Sequence, residues 1–509
     1  MSELLDPPAP APGPPGTDRG RITRRGLLGA GLGGALALAG AGYGVDRLLT
    51  GGGGSDMPPN GTPQRFVSRP DLMPTITRLT VSGPTAPGLF FVGPGRSAPV
   101  TAGPMIVDGH GELVWFTPLP LHHWATNLQV RTLHGRPVLT WWEGELVDGY
   151  GVGEAVIADT SYRVLHRVRA ARGRHVDLHE FQLTDAGTAL FTCTPQTRTV
   201  DLAAIGGPRS AHALESIFQE VDVTSGRLLG EWRSLDHIPV TETYRTEFAP
   251  LDYLHVNSID VLGDGDLLIC ARNTWSCYKL ARATGEVVWR LGGKRSDFAM
   301  GPGAQFAWQH DGRWVAGDRL TVFDDGFDGR TRTHHLSRGL ILAVDLAGRR
   351  VAVSRAYTSP ARLLSSGMGN AQLLPDGHML VGFGDDPYTT EFDETGAVVA
   401  NLQMPPGQHS YRGFRLPWSA RPAEPPAVAV RRDRSSDRAT LYVSWNGATG
   451  VAAWQVLGGT RRSDLRPVGR APRTGFETAV DLGRASGVAV AVAVDARGRE
   501  LGRSAAVRV

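Results

Sequence analysis

LHVNSIDVLGDGDLLICARNTWSCYKLARATGEVVWRLGGKRSDF, residues 254–298, reads as one complete four-stranded β-blade with polar groups gathered at one edge. His255, Val256 and Asn257 open the first strand. The Gly263–Asp266 cluster turns the chain, and Leu267–Ala271 returns to end at Arg272. A turn near Asn273–Thr274 starts Ser276–Leu280, and Thr284–Gly285 turns that strand into Glu286–Leu291. Antiparallel pairing puts the start of the first strand and the end of the second at one edge. His255, Asn257 and Arg272 are therefore expected to meet. An imidazole, an amide and a guanidinium converging there suit an oxyanion such as sulfate or phosphate.

Working outward, the same unit recurs without a fixed period. His179-Glu180-Phe181 runs to a turn at Asp185–Gly187 and then Thr188–Cys193. Trp308-Gln309-His310 runs to Gly317–Asp318, then Arg319–Phe323 and Asp324-Asp325-Gly326. Asn370-Ala371-Gln372 runs to Asp376-Gly377 and His378–Phe383, and Asn127 precedes the Gly135 turn and Val138–Trp142. Each copy places a His or Asn about one strand length before a Gly turn, with an apolar strand after it. Repetition of this kind predicts an all-β fold, a β-propeller. Equivalent strand starts in a propeller converge on the mouth of the central channel. His179, His255, His310, Asn370 and Asn127 are then expected to line one pocket.

Composition agrees with an all-β chain: 65 Gly and 35 Pro punctuate short Val/Leu/Ile runs, with 41% hydrophobic and 20% charged residues in 509. The formal net charge is only +3 and the basic residues are dispersed, which argues against nucleic acid as a partner. Lysine occurs only at Lys279 and Lys294, a bias that codon usage in a GC-rich genome explains better than a ligand does.

Residues 1–60 read as a Pro-rich start, an export signal and a Gly-rich spacer. Thr23-Arg24-Arg25-Gly26-Leu27-Leu28 follows the twin-arginine pattern, ahead of a mild Gly/Ala/Leu stretch to about Gly44 and the Gly51–Gly54 spacer. The expectation is delivery by the twin-arginine translocation machinery to an extracytoplasmic place, in the cell envelope or secreted. No clear cleavage site stands out, which leaves an uncleaved N-terminal membrane anchor open. Cys270 should face Cys277 across the hairpin, as a disulfide or as two unlinked thiols; three cysteines make neither a disulfide framework nor a zinc site.

The propeller is expected over about 65–418. Residues 419–427 (SARPAEPPA within it) read as a linker. From 428 to 509 the pattern changes to short runs at Ala439–Trp445, Val451–Val456, Phe476–Leu482 and Val488–Val494, with Trp445 and Trp454 available for a core. That predicts a small fibronectin/Ig-like β-sandwich without a catalytic grouping.

Leu254–Phe298, FAWQHDGR at Phe306–Arg313, FDDG at Phe323–Gly326, Ser337-Arg338-Gly339 and GNAQL at Gly369–Leu373 together resemble the arylsulfotransferase-like family, the bacterial arylsulfate sulfotransferases and their relatives. The resemblance covers about residues 65–418. It implies a six-bladed propeller with its site at the channel mouth. The implied chemistry is transfer of a sulfuryl group from a phenolic sulfate donor to an acceptor phenol, with no nucleotide sulfate, other cofactor or metal. It further implies His310 as the nucleophile that becomes a sulfohistidine. His255 and Asn257 match the family's His-x-Asn, which binds the donor and protonates the leaving phenolate, and Arg272 matches the arginine that neutralises sulfate oxygens. His179 matches another site histidine, with His175 nearby as the alternative, and Asn370 follows from the blade alignment. The C-terminal module has no obvious equivalent in the family.

These residue types fit that chemistry. A loose sulfuryl transfer places negative charge on three peripheral oxygens, so positioning and charge stabilisation dominate. A guanidinium presents a flat fork to two oxygens at once. An imidazole is nucleophilic only when unprotonated, and Asp311 is the neighbour expected to orient or charge it. A second histidine supplies the acid. Bland readings stand beside these. His179 alone is equally a hydrogen-bonded blade residue, Trp308 is either packing or a stacking surface for an aromatic substrate, and Asp324-Asp325-Gly326 reads as a turn rather than a calcium loop. Competing functions are a non-catalytic propeller that binds an anionic ligand or a cell-surface partner, and an aryl sulfate hydrolase.

Overall fold

The computed structural model describes residues 57–509. The twin-arginine pattern, the apolar stretch and the Gly51–Gly54 spacer lie outside the described residues. Among the described residues, no helix is long and apolar enough to cross a membrane.

Residues 254–298 form the expected sheet, with Val256–Val261, Leu267–Ala271, Ser276–Leu280 and Val287–Gly292 paired antiparallel in chain order. Val256 lies opposite Ala271, and the Arg272 N–H donates to the His255 carbonyl at 3.0 Å, so the two strand ends share an edge. Every residue of Leu267–Ala271 is buried. A strand that is apolar without alternation is covered on both faces, and here neighbouring sheets do the covering.

The cores run from sheet to sheet. Ile106 and Val114 pack with Leu139 and Val156. Val138 and Ile157 pack with Phe181 and Ile217, and Leu190 and Phe218 with Ile259 and Ile269. Leu268 and Leu291 meet Leu320 and Leu342, and Phe323 and Ile341 meet Val381 and Phe392. The series returns to its start, because Leu380 and Leu402 pack with Val92 and Phe116. Each such side chain contributes about 2 kcal/mol on burial, so the stabilisation lies mainly between sheets.

Two strand exchanges tie the ends of this series. Phe414–Leu416, from the far end of the region, pairs with Leu89–Val92 in the first sheet. Arg78–Val81, from its beginning, pairs with Val398–Gln403 in the last. The sheet over residues 123–233 is two four-stranded groups joined by the single Gly153–Val176 pair.

Bulges bend the first strand of several sheets. The register slips between Thr126 and Gln129, between Val256 and Ser258, and between His310 and Arg313. Asn127, His255 and Asp311 at or beside these slips have φ of 55°, 60° and 55°, left-handed values that non-glycine residues adopt at a cost. Strain of this kind persists where surrounding packing imposes it.

Cys270 and Cys277 are opposite each other and joined as a disulfide. Gly312 of the next sheet lies against it, where a Cβ would run into the Cys270 sulfur. Gly312→Ala is expected to lower stability by about 3 kcal/mol through overpacking, read as a lower urea midpoint with an unchanged slope.

Residues 427–509 form two further sheets. One holds Ala427–Arg432, Ala439–Ser444 and Glu477–Gly483, and the other holds Arg466–Pro472, Ala453–Gly459, Val488–Val494 and Glu500–Arg503, with Val507–Arg508 beside Val488–Val494. Leu441, Val443, Trp454, Val456 and Ala491 fill the space between them. The sequence reading missed Arg466–Pro472, whose prolines and arginines hide an exposed strand. This region also covers an edge of the first sheet. The Asn446 amide bonds both the N–H and the C=O of Phe116 (3.0 and 2.9 Å), which satisfies an edge that would otherwise stay open.

Candidate active site

His179 and His255 meet, His310 shares the neighbour Tyr411 with His179, and each of the three rings has a carboxylate on Nδ1. Asp177 lies 2.5 Å from His179, Asp252 2.6 Å from His255, and Asp325 2.8 Å from His310. In each pair the carboxylate fixes the tautomer and turns Nε2 away from itself. His179 Nε2 and His255 Nε2 are 3.1 Å apart. His179 is 3% exposed, whereas His175 is exposed on the surface, so the geometry places His179 in the cluster and leaves His175 out.

His310, also 3% exposed, accepts the Met368 N–H on Nε2 at 3.3 Å. The ring proton must therefore sit on Nδ1, facing Asp325. Burial holds this imidazole well below the usual histidine range, with the positive charge of Arg272 adding to the effect. An uncharged ring with an Nε2 lone pair is the state a nucleophile requires.

Arg272 ends the second strand of its sheet and turns through Arg272–Thr274. Its guanidinium donates to Asn273 Oδ1 (3.1 Å) and to the Ser366 carbonyl (2.9 Å), and lies 5.3 Å from the Trp308 ring centre. The segment Ser366–Gly369 thus touches both Arg272 and His310.

Several sequence expectations are corrected. Asn257 and Asn370 do not point their amides into a shared pocket. Asn257 Nδ2 donates to the Gln309 carbonyl (2.7 Å), and Asn370 bonds the Gly413 C=O and N–H (2.7 and 2.9 Å). Asn127 likewise reaches the Leu178 carbonyl at 2.8 Å. These amides hold backbone groups in or beside a strand of the next sheet, and buried backbone groups need a partner. Trp308 is only 2% exposed, wedged edge-on against Trp275 with Arg272 and Arg245 over its face, so it is packing rather than an open stacking surface. Asp311 does not orient His310. It faces Arg313 (2.7 Å) and Arg412 (3.2 Å), and Asp325 from the presumed turn takes the histidine instead.

Sequence reasoning missed Tyr150, Tyr411 and Arg412. Tyr150 donates to Asp252 (2.8 Å) and lies 2.9 Å from His255 Nδ1. Tyr411 sits edge-on to both His179 and His310, 5.7 and 6.3 Å between ring centres. The carboxylates had a local signal, since Asp177 and Asp252 stand two and three residues before their histidines. Tyr411 and Arg412 had none, for they follow the last repeat. Among the described residues, no group of three or more His, Cys, Asp or Glu is disposed to hold a metal ion.

At the same end, His409 stacks on Trp124 (5.4 Å) and burial lowers it to about 4. Unfolded, it titrates near 6.5. Its neutral form thus supports the fold fully above about pH 6.5, and that contribution is lost as pH falls toward 4. His409→Phe should flatten the stability–pH curve across this window by one proton's slope, as read by urea melts at stepped pH.

Solved structures of low similarity include a protein of unknown function from Bacteroides caccae (14% identity, 64% of this chain and 98% of that one, TM-score 0.38). Others are virginiamycin B lyase from Staphylococcus aureus (9%, 73% and 97%, TM-score 0.33) and a protein from Lactobacillus plantarum (13%, 78% and 99%, TM-score 0.37). A search of curated proteins finds no match. The model of the family described as Arylsulfotransferase (ASST) matches residues 129–404, a span that takes in His179, His255, Arg272 and His310. With more than half of its length inside that match, the chain belongs to the arylsulfotransferase (ASST) family.

Proposed function

We propose that this protein is an exported, nucleotide-independent aryl sulfotransferase that works through a sulfohistidine on His310. The observation that carries the reading is the His310 ring: uncharged, its proton held toward Asp325, and its Nε2 lone pair engaged, among the described residues, only by the Met368 N–H at 3.3 Å. His310 Nε2 attacks the sulfur of a phenolic sulfate, and the sulfur–oxygen bond to the aryl group breaks. Arg272 stabilises the charge on the peripheral oxygens, replacing its present bond to the Ser366 carbonyl with bonds to sulfate. His255 protonates the departing phenolate. An acceptor phenol then takes the sulfuryl group from His310. The segment carrying Ser366 and Met368 must yield for the donor to enter, since it occupies both His310 Nε2 and Arg272.

The architecture that supports this reading is a six-bladed propeller over about 65–418. The six sheet-to-sheet cores and the two strand exchanges support it. Residues 428–509 form the fibronectin/Ig-like sandwich after the 419–427 linker. The twin-arginine pattern supports export to the cell envelope or beyond.

The test is intact mass after brief exposure of the protein to 4-nitrophenyl sulfate without acceptor. Gain of one sulfuryl group, discharged by added phenol, is expected. Binding without an adduct or phenol release, across a panel of donors, would leave only a binding protein. Phenol release indifferent to acceptor would make it a hydrolase.

A further inference from the structure

The row Asp177–His179–His255–Asp252 is unbroken. Its three contacts are 2.5 Å from Asp177 to His179 Nδ1, 3.1 Å between the two Nε2 atoms, and 2.6 Å from His255 Nδ1 to Asp252. The rings cross at 86° with centres 4.7 Å apart, so each Nε2 meets the other ring's Nε2 rather than a ring face.

Three hydrogen-bond contacts need three protons. Two neutral imidazoles and two carboxylates supply only two. With both Nδ1 protons directed at the carboxylates, two nitrogen lone pairs would face each other in a buried place, an arrangement with no attraction to hold it. Moving an Nδ1 proton inward would set a lone pair against a carboxylate instead. Both carboxylates are built as anions. Asp177 accepts from Gly151 N–H (2.6 Å) and Thr192 Oγ1 (3.0 Å) besides His179, and Asp252 accepts from Tyr150 Oη (2.8 Å) besides His255.

We propose that His179 and His255 share one extra proton between their Nε2 atoms in the resting protein, and that this proton is the one given to the departing phenolate. The inference rests on the reading of His310 as the nucleophile. His255 touches the leaving oxygen, and His179 is a positioning residue that acts through it. His255 has the more open side chain, 13% against 4%.

The steps balance. As His310 Nε2 bonds to sulfur, the aryl oxygen leaves with the electron pair and takes the shared proton from His255 Nε2. The acceptor phenol returns a proton to that nitrogen as its oxygen bonds to sulfur. The electron pair of the breaking nitrogen–sulfur bond goes back to His310. Asp177, Asp252, Tyr150, Tyr411, Arg272 and His310 are the polar groups facing the pair. Burial and the charge of Arg272 lower the His255 imidazole, and Asp252 acts against them to hold the shared proton.

Two measurements test this. The first compares 4-nitrophenyl sulfate with phenyl sulfate as donors in the wild type, His179→Gln and His255→Gln. Loss of a shared acid should cost each variant less than about 10-fold on the acidic leaving group and about 10²–10³-fold on the basic one. The two variants should share one leaving-group slope. A wild-type slope in His179→Gln overturns the sharing while leaving the transferase intact.

The second is ¹⁵N-histidine NMR of the substrate-free protein, which reads the proton whether or not the protein turns over any donor. One Nε2 proton coupled to both rings across the neutral range, and lost in His179→Gln, is expected. Two rings that titrate independently would overturn the proposal.

Discussion

His310→Asn should lower kcat/KM for aryl sulfates by about 10⁴-fold or more and abolish the mass adduct, because the substitution removes the one lone pair available to attack sulfur. Asparagine is chosen because its amide retains a donor close to where Nδ1–H meets Asp325 at 2.8 Å. Asp325 is fully buried, so a residue with no donor would strand a carboxylate and confuse a folding defect with a chemical one. The variant's thermal midpoint should stay within a few degrees of wild type. Initial rates, the adduct mass and the melt are all read on one preparation. Retention of the adduct in His310→Asn would move the nucleophile to another ring of the cluster.

Arg412→Ala carries the largest expected loss of stability. The guanidinium is 1% exposed and lies just before the closing strand Phe414–Leu416. It donates to Asn127 Oδ1 (2.8 Å) and the Asn257 carbonyl (2.7 Å), and pairs with Asp311 (3.2 Å) and Glu180 (3.5 Å). Those partners belong to four different strands, so one side chain ties the four together. Arg313 also pairs with Asp311 and Glu180, but alone it would face two buried carboxylates. Removing one partner of a buried ionic cluster costs about 3–5 kcal/mol, chiefly through the charge left behind. Urea unfolding should show the midpoint falling by that equivalent with an unchanged slope. Arg412→Lys should recover only part of it, since an ammonium cannot fork to four acceptors. A loss under about 1 kcal/mol in Arg412→Ala would show that the cluster reorganises around the gap.

The periodicity of residues 254–298 was enough to set that sheet's strands and the pairing of His255 with Arg272. Local turn chemistry and two-residue alternation carry this information, and both are properties of neighbours in the chain. The recurring His or Asn before a Gly turn likewise foretold that His179 and His255 would meet.

The sequence alone could not say which of those positions would face the site. A bulge adds one residue to one strand and re-aims the side chains beside it, so Asn257 became a staple to the next sheet; Asn370, in a strand of unbroken register, binds the neighbouring sheet's backbone as well. The partner of His310 was also beyond local reading. Asp311 is adjacent in sequence but turns toward Arg313 and Arg412, whereas Asp325, across the hairpin, meets the ring. Tyr411 and Arg412 enter only because the last strand returns to pair with Leu89–Val92.

By itself, then, the sequence determined the strand-and-turn units and the family, both of which are written in spacing and residue type. Only the tertiary structure decided which carboxylate holds which histidine, which amides stitch the sheets, and that two imidazoles face each other Nε2 to Nε2. Those relations depend on contacts between residues far apart in the chain, such as the 76 positions separating His179 from His255, and no local pattern encodes them.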